Sequence, residues 1–305
     1  MPLARIRSIA TLPWAQAAAD LAAYWDQAEA DYAARRELAT FLMGYLSGRN
    51  TPMAQPAPAL AIRYAVQSDT GLQREDNEDA AYAGPRLLAV ADGMGGHAAG
   101  EVASAAVIAA VRPLDTAIPA GELLDALDHA VRRAGSSLRE LAASDPSLAG
   151  MGTTLTALVI SGSQLGLVHI GDSRAYLARD GAVFQITHDH TLVQSLLDEG
   201  KITPAEMSSH PQRSLLLRAL QAGREADADV QLREARDGDR YLLCSDGLHG
   251  CVDDEQIAAV LLGVADPDQA ARDLIALAID GGGPDNITCI VADVVDAPAG
   301  VRPGS

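Results

Sequence analysis

The sequence predicts an α+β fold built on antiparallel strands, and three observations carry that reading. Short apolar runs follow one another at hairpin spacing between residues 153 and 187. Longer helical patterns lie before and after this meander. The Pro/Ala stretch "TPMAQPAPAL", residues 51–60, sets the strand-rich part apart from a leading segment. Successive hairpins are antiparallel by construction, because parallel neighbours need long crossovers. At 305 residues and 48% hydrophobic content the chain can bury one large core or two small ones. Only 4% is aromatic, so Ala, Val, Leu and Ile must fill it.

Taken in order, residues 1–50 read as a helical extension. Leu21, Tyr24, Trp25, Ala28 and Tyr32 recur at three- and four-residue spacing, and Leu38, Phe41, Leu42 and Tyr45 continue the stripe. The linker 51–60 follows, then the main domain, 61–296. "AIRYAVQS" and "LLAVAD" read as strands, with a short one after Asp79, and 98–111 and 121–143 as helices. In the meander "TTLTALVI" turns at Ser161–Gln164 into "LGLVHI", "GDS" turns into "RAYLA", and Asp180-Gly181, a hairpin dipeptide, leads into "AVFQIT". Residues 190–222 look helical and loop-like. "RYLLCSD" is a strand, helices lie near 253–263 and 267–280, and "NITCIVADVV" is the last strand. The Pro/Gly-rich tail, 297–305, is expected to fray.

Lys plus Arg number 23 against 41 Asp plus Glu, a net charge of −18. So acidic a chain is a poor partner for nucleic acid or an anionic membrane. Cys244, Cys251 and Cys289 are odd in number and form no C-x-x-C pair, which suits a reducing compartment. No Arg stands six residues after any of them, so the loop of thiolate phosphatases is absent. No apolar run reaches the ~18 residues of a membrane span. The apolar positions from Trp14 to Leu46 are broken by charges, unlike a signal peptide. The expectation is a cytoplasmic protein.

"LLAVADGMGGHAAGEVAS" puts a lone carboxylate, Asp92, at the end of an apolar run with glycines behind it. Gly93-x-Gly95-x-x-Ala98 fits a loose dinucleotide fingerprint, and Asp115 lies where a ribose-binding acid could sit. Antiparallel hairpins contradict that fold, and the fingerprint has no use for Asp92. The device also recurs. Asp172 follows "LGLVHIG", Asp246 ends "YLLCSD", Asp285 opens the last strand in "GGGPDN", and Glu78 and Asp79 precede another strand. A single such Asp usually caps its own turn. Four delivered to Gly-rich strand ends ask for a cation, because converging carboxylates repel and burial worsens the repulsion. An all-oxygen set suits Mg²⁺ or Mn²⁺, with the glycines letting backbone oxygen and solvent approach the ions. His188 and His190 in "THDHT" lack a third ligand for zinc. Two cations about 3.5–4 Å apart can share a water, lower its pKa and direct it in line at phosphorus. Arg74, four residues before Glu78, is the candidate phosphate clamp.

With these residues in place the chain resembles the bacterial branch of the metal-dependent type 2C (PPM) serine/threonine protein phosphatases. "SDTGLQREDNEDA", "ADGMGGHAAGEVAS", "GMGTTLTALVI", "HIGDSRAYL", "SHPQRSLLLRAL", "CSDGLHG" and "GGPDNIT" stand in the family's order across roughly 61–295. The resemblance implies a four-layer α-β-β-α sandwich, two antiparallel sheets flanked by helices, with metals at one end. It implies two core Mn²⁺ or Mg²⁺ ions and a third. Asp92 would bridge the core ions, the Gly93 carbonyl would bind one, and Asp246 and Asp285 would complete the set. Glu78 would bind through water, Asp79 would support Arg74, and Asn286 would be a further supporting residue. Asp172 would hold the third ion, with Asp246 shared and the Ser214 carbonyl contributing. Residues 187–222 would form a flap that influences substrate choice. The implied partners are phosphorylated proteins and a cognate Ser/Thr kinase whose substrates the enzyme shares. Met94 stands where many eukaryotic relatives have a His proposed as general acid, and His97 falls three residues later. The rival reading, a catalytically silent fold that binds phosphoproteins or regulators, should show replacement of Asp92, Asp246 or Asp285. All three are present.

Overall fold

The structure is a computed structural model and describes residues 60–95 and 98–296. The leading helical pattern, nearly all of the linker, the tail and His97 lie outside the described residues. Contacts divide the chain between Pro56 and Ala57, and the described residues all belong to the second unit.

Among the described residues twelve strands form two sheets, every pairing antiparallel. The first sheet has the order β1 (Leu60–Asp69), β12 (Ile287–Asp296), β11 (Arg240–Cys244), β7 (Arg174–Arg179), β8 (Ala182–Gln185). The second runs β10 (Asp229–Glu234), β6 (Gln164–Ile170), β5 (Leu155–Ser161), β3 (Leu87–Met94), β4 (Gly152–Thr153), β9 (Leu220–Gln221), with β2 (Asp79–Ala83) also on β3. Asp180 and Gly181 turn β7 into β8 with φ of 53° and 78°, the positive pair a tight hairpin requires.

Side-chain alternation along β3 explains the layering. Leu87, Ala89 and Ala91 point to one face and pack with α1 (Ala98–Val111) and α2 (Leu123–Ser144) through Ala103, Val107, Leu127 and Val131. Leu88 and Val90 point to the other face and meet Leu243, Ile290 and Ala292 of the first sheet. The first sheet's outer face, with Leu242, Cys244 and Val291, packs on α6 (Asp254–Gly263) and α7 (Pro267–Asp280) through Ile257, Leu261 and Leu274. These three apolar interfaces separate four layers, α-β-β-α, as expected. Asp253 and Asp266 cap α6 and α7 by accepting from the Gln256 and Gln269 amides.

Several expected elements shift. "TTLTALVI" is not one strand: it breaks at Thr154, whose amide donates to Asp92 O and so ties the break to the end of β3. "RYLLCSD" stops at Cys244, because Ser245 precedes the one-turn helix α5 (Asp246–His249). β10 was not expected; its apolar Val230 and Leu232 are hidden among charges. Residues 190–222 carry α3 (Leu192–Asp198), α4 (Pro204–Ser208) and β9.

Candidate active site

Strand register brings the acids to one end of the sandwich. Cys244 pairs with both Cys289 and Arg174, so the exit of β11, the entry of β12 and the entry of β7 coincide. Leu155 pairs with Ile170 and Thr156 with Val90, so the ends of β3 and β6 meet the start of β5. Asp79 pairs directly with Asp92. A cleft of about 840 Å³ opens at this end, lined by Glu75, Asp76, Glu78, Asp92, Asp172, Asp246 and Asp285. Among the described residues that line it, Arg74 is the one basic side chain.

The scaffold around these acids is polar and tightly bonded. The Asp92 amide donates to Thr154 Oγ1 at 2.9 Å, and Thr153 Oγ1 donates to Asp92 O at 2.8 Å. Thr154 Oγ1 also lies 2.7 Å from Ser173 Oγ, beside Asp172. Asn286 is buried and stitches the 70–78 loop to the last strand. Its Nδ2 donates to Thr70 O and Asp76 O, and its Oδ1 accepts from the Glu78 amide. Gly93 serves packing: a β-carbon there would overlap the carbonyl oxygens of Gly100 and Glu78, and its own amide donates to Glu78 O. The glycine therefore fixes β3, the start of α1 and Glu78 together.

Electrostatically the acids are under strain. Burial, then Asp246, Asp79, Asp172 and Asp285, push the Asp92 carboxyl well above its ordinary value. Burial and Asp246 do the same to Asp172. Asp246 is raised by burial and Asp285, against a side-chain hydrogen bond with Asp92. Burial pushes Asp79 up to about 7, although Ser245 Oγ donates to its Oδ2 at 2.7 Å. Asp79 Oδ1 is buried with no hydrogen-bond partner.

A hard divalent cation fits this donor set: oxygen only, clustered in charge, and destabilised without a counter-ion. Among the described residues no three His, Cys, Asp or Glu side chains close tightly enough to enclose an ion by themselves. Mg²⁺ and Mn²⁺ favour octahedral oxygen sites, and Mg²⁺ keeps several waters, so a looser carboxylate set meets the requirement.

The carboxylate bonded to Arg74 is Asp285, not Asp79. Arg74 Nη2 donates to Asp285 Oδ2 at 2.7 Å, whereas Asp79 lies in β2 and accepts from Ser245. The structure places Gly93 and Ser214 on the cleft wall with the acids. His188 turns outward to Asp198, and His190 accepts from the Gly171 amide. Thr154 and Ser245, both fully buried, escaped the sequence reading. Their one signal was a hydroxyl residue directly beside an apolar run, which is common in any strand.

The described residues thus form an antiparallel double sandwich with an acid-lined cleft at one end of its sheets. Residues 67–277 match the family described as protein phosphatase 2C, and the chain belongs to that family. It is 59% identical over 237 residues to the serine/threonine protein phosphatase PstP of Mycobacterium tuberculosis, covering 78% of this chain and 46% of that protein. The chain thus spans about half the length of that curated relative. It is 34% identical over 239 residues to the serine/threonine phosphatase stp of Listeria innocua, covering 74% of this chain and 94% of the relative. Among solved structures, it is similar to the catalytic domain of PstP in complex with two manganese ions. That likeness has a TM-score of 0.74 and 56% identity, over 78% of this chain and all of the other. Among the described residues no helix is long and apolar enough to cross a membrane.

Proposed function

We propose that the chain is a metal-dependent protein serine/threonine phosphatase that hydrolyses phosphoserine and phosphothreonine in proteins, opposing a bacterial Ser/Thr kinase. The observation that carries this reading is the cleft itself: seven carboxylates and one guanidinium at the end of the sandwich, in a chain of this family.

Asp92, Asp246 and Asp285 would hold the two core ions with the Gly93 carbonyl, Glu78 would reach them through water, and Asp172 and Ser214 would contribute to a third. Bound there, Mn²⁺ or Mg²⁺ supplies an acidified water as nucleophile and positive charge for the phosphoryl oxygens. The chain does the positioning. Arg74, at the mouth, offers a planar fork to the phosphate oxygens, and Asp285 aims it from below through the 2.7 Å bond. Asn286 holds the loop that carries both Arg74 and Glu78. Met94 lines the cleft immediately after Asp92-Gly93 and has no proton to give a departing serine or threonine alkoxide, a role that a water in the cleft could take.

The test is hydrolysis of phosphoserine and phosphothreonine peptides across Mn²⁺ and Mg²⁺ titrations. Turnover should require the ion and vanish in Asp92→Ala and Asp285→Ala, with the fold intact by circular dichroism. Full activity in excess EDTA contradicts the reading.

A further inference from the structure

The "THDHT" segment, passed over as a zinc site, sits at the root of residues 187–222 and grips the turn that carries Asp172. Arg174, two residues after Asp172, donates from Nε to Asp189 Oδ1 at 3.0 Å and from Nη2 to Asp189 Oδ2 at 2.7 Å. This fork is almost fully enclosed, with side-chain exposures of 17% and 3%, so it is far better defined than a surface pair. His190 holds the other side of the same turn. Its Nδ1 accepts from the Gly171 amide at 3.1 Å, and its own amide donates to Gly171 O at 2.7 Å. Nε2 faces β10, 3.2 Å from Asp229 Oδ2 and 2.9 Å from Arg218 Nη1, and Arg218 in turn donates from Nη2 to Asp229 Oδ1 at 2.8 Å.

His190 also faces the other way along the chain. Its carbonyl accepts from the Leu217 amide at 2.8 Å, and the Leu192 amide donates to Leu215 O at 2.9 Å. One residue is therefore bonded next to Asp172 and also to the backbone stretch that contains Ser214. Both Asp172 and Ser214 face the cleft.

We propose that Asp189 and His190 are positioning residues that set the spacing between Asp172 and the Ser214 backbone, and through it the affinity of a divalent cation held by that pair. The inference rests on the phosphatase reading of the cleft. It makes the coupling reciprocal: a cation at Asp172 orders residues 191–217, and loosening His190 weakens that cation. Outer partners of metal ligands typically contribute about 10–100-fold in metal affinity.

The experiment is Mn²⁺ binding by calorimetry, with hydrogen exchange on the metal-free protein, for wild type, His190→Ala, His190→Asn and His190→Gln. Asp172→Asn identifies which class of bound ion belongs to Asp172. His190→Ala should weaken that class at least ~10-fold while the other ions bind as in wild type. The Leu192 and Leu217 amides should exchange faster before any metal is added. Asn places its amide oxygen where Nδ1 sits and should restore both readouts; Gln places it farther out and should not. If the alanine variant does not fold, the Asn and Gln pair decides alone. Unchanged binding and exchange in His190→Ala, or equal weakening of every ion, overturns the proposal. A wild type that binds no Mn²⁺ overturns the phosphatase reading as well, and so separates the two failures.

Discussion

Arg74 and Asp285, 211 residues apart in sequence, meet at 2.7 Å across the mouth of the cleft. The guanidinium is attracted by Asp285, then Glu78 and Asp92, all of which raise its affinity for its proton. A single cation thus sits where seven carboxylates converge, placed to receive an anion that those carboxylates alone would repel.

Arg74→Ala should raise KM for a phosphopeptide by about 10-fold or more, the worth of one charge-assisted hydrogen bond of roughly 1.5–3 kcal/mol. Arg74 is about half exposed and Asp285 about a third, so solvent screens the pair and its loss should cost stability about 1 kcal/mol or less. Steady-state kinetics beside a urea melt separates the two effects. An unchanged KM would remove Arg74 from the phosphate site.

The acids make the cation's contribution to stability pH-dependent. Asp79, raised from 3.8 to about 7, binds a proton in the folded chain that the unfolded chain has released across that window. Its contribution is complete at low pH and is lost as pH rises toward 7; Asp92, Asp172 and Asp246, also raised, act in the same direction. His169 and His249 work in the opposite direction. Burial holds each near 4, so their neutral folded forms lose stability as pH falls from about 6.5 to 4. The histidines contribute with or without an ion and largely cancel in a difference. The increase in Tm on adding saturating Mn²⁺ should therefore grow from pH 5 to pH 7.5. A constant increment across that range would show that the acids are not the ion's ligands.

Asn286→Ala should lower stability by about 1–3 kcal/mol, since it removes the buried side chain that bonds two carbonyls and one amide of a largely exposed loop. Because the loop carries Arg74 and Glu78, KM should rise in parallel. Denaturant melts that show the stability loss with wild-type kinetics would mean that the loop's position does not matter to the site.

Gly93→Ala should cost several kcal/mol, as overpacking against two backbone carbonyls leaves no flexible side chain to yield. Differential scanning calorimetry reads this directly. A wild-type Tm would mean that β3 and α1 separate easily, and the account of why Glu78 is held there would fail.

Most of the architecture was legible because each cue was local. The hairpin dipeptide Asp180-Gly181, the apolar run of β3 and the helical patterns at 98–111 and 267–280 all act within a few residues. The convergence of Asp92, Asp172, Asp246 and Asp285 could be inferred from their repeated place at strand ends, before any topology was known. The links between them could not. Thr154 to Ser173, Ser245 to Asp79, and Asp189 to Arg174 join residues from 15 to 166 positions apart, and nothing in either partner's neighbourhood announces the other. The family resemblance implied that Asp79 supports Arg74; the bonds seen are Asp79 with Ser245 and Arg74 with Asp285, and neither was legible locally. β10 was missed because its apolar pair is surrounded by charge.

The most direct test of the central claim is a crystal grown with Mn²⁺ and measured at the manganese absorption edge. Anomalous peaks should stand between Asp92 and Asp246 and beside Asp285, at the end of the sandwich where β3, β11 and β12 meet. An acid-lined cleft without an anomalous peak, in crystals of protein that still hydrolyses phosphopeptides, would contradict it.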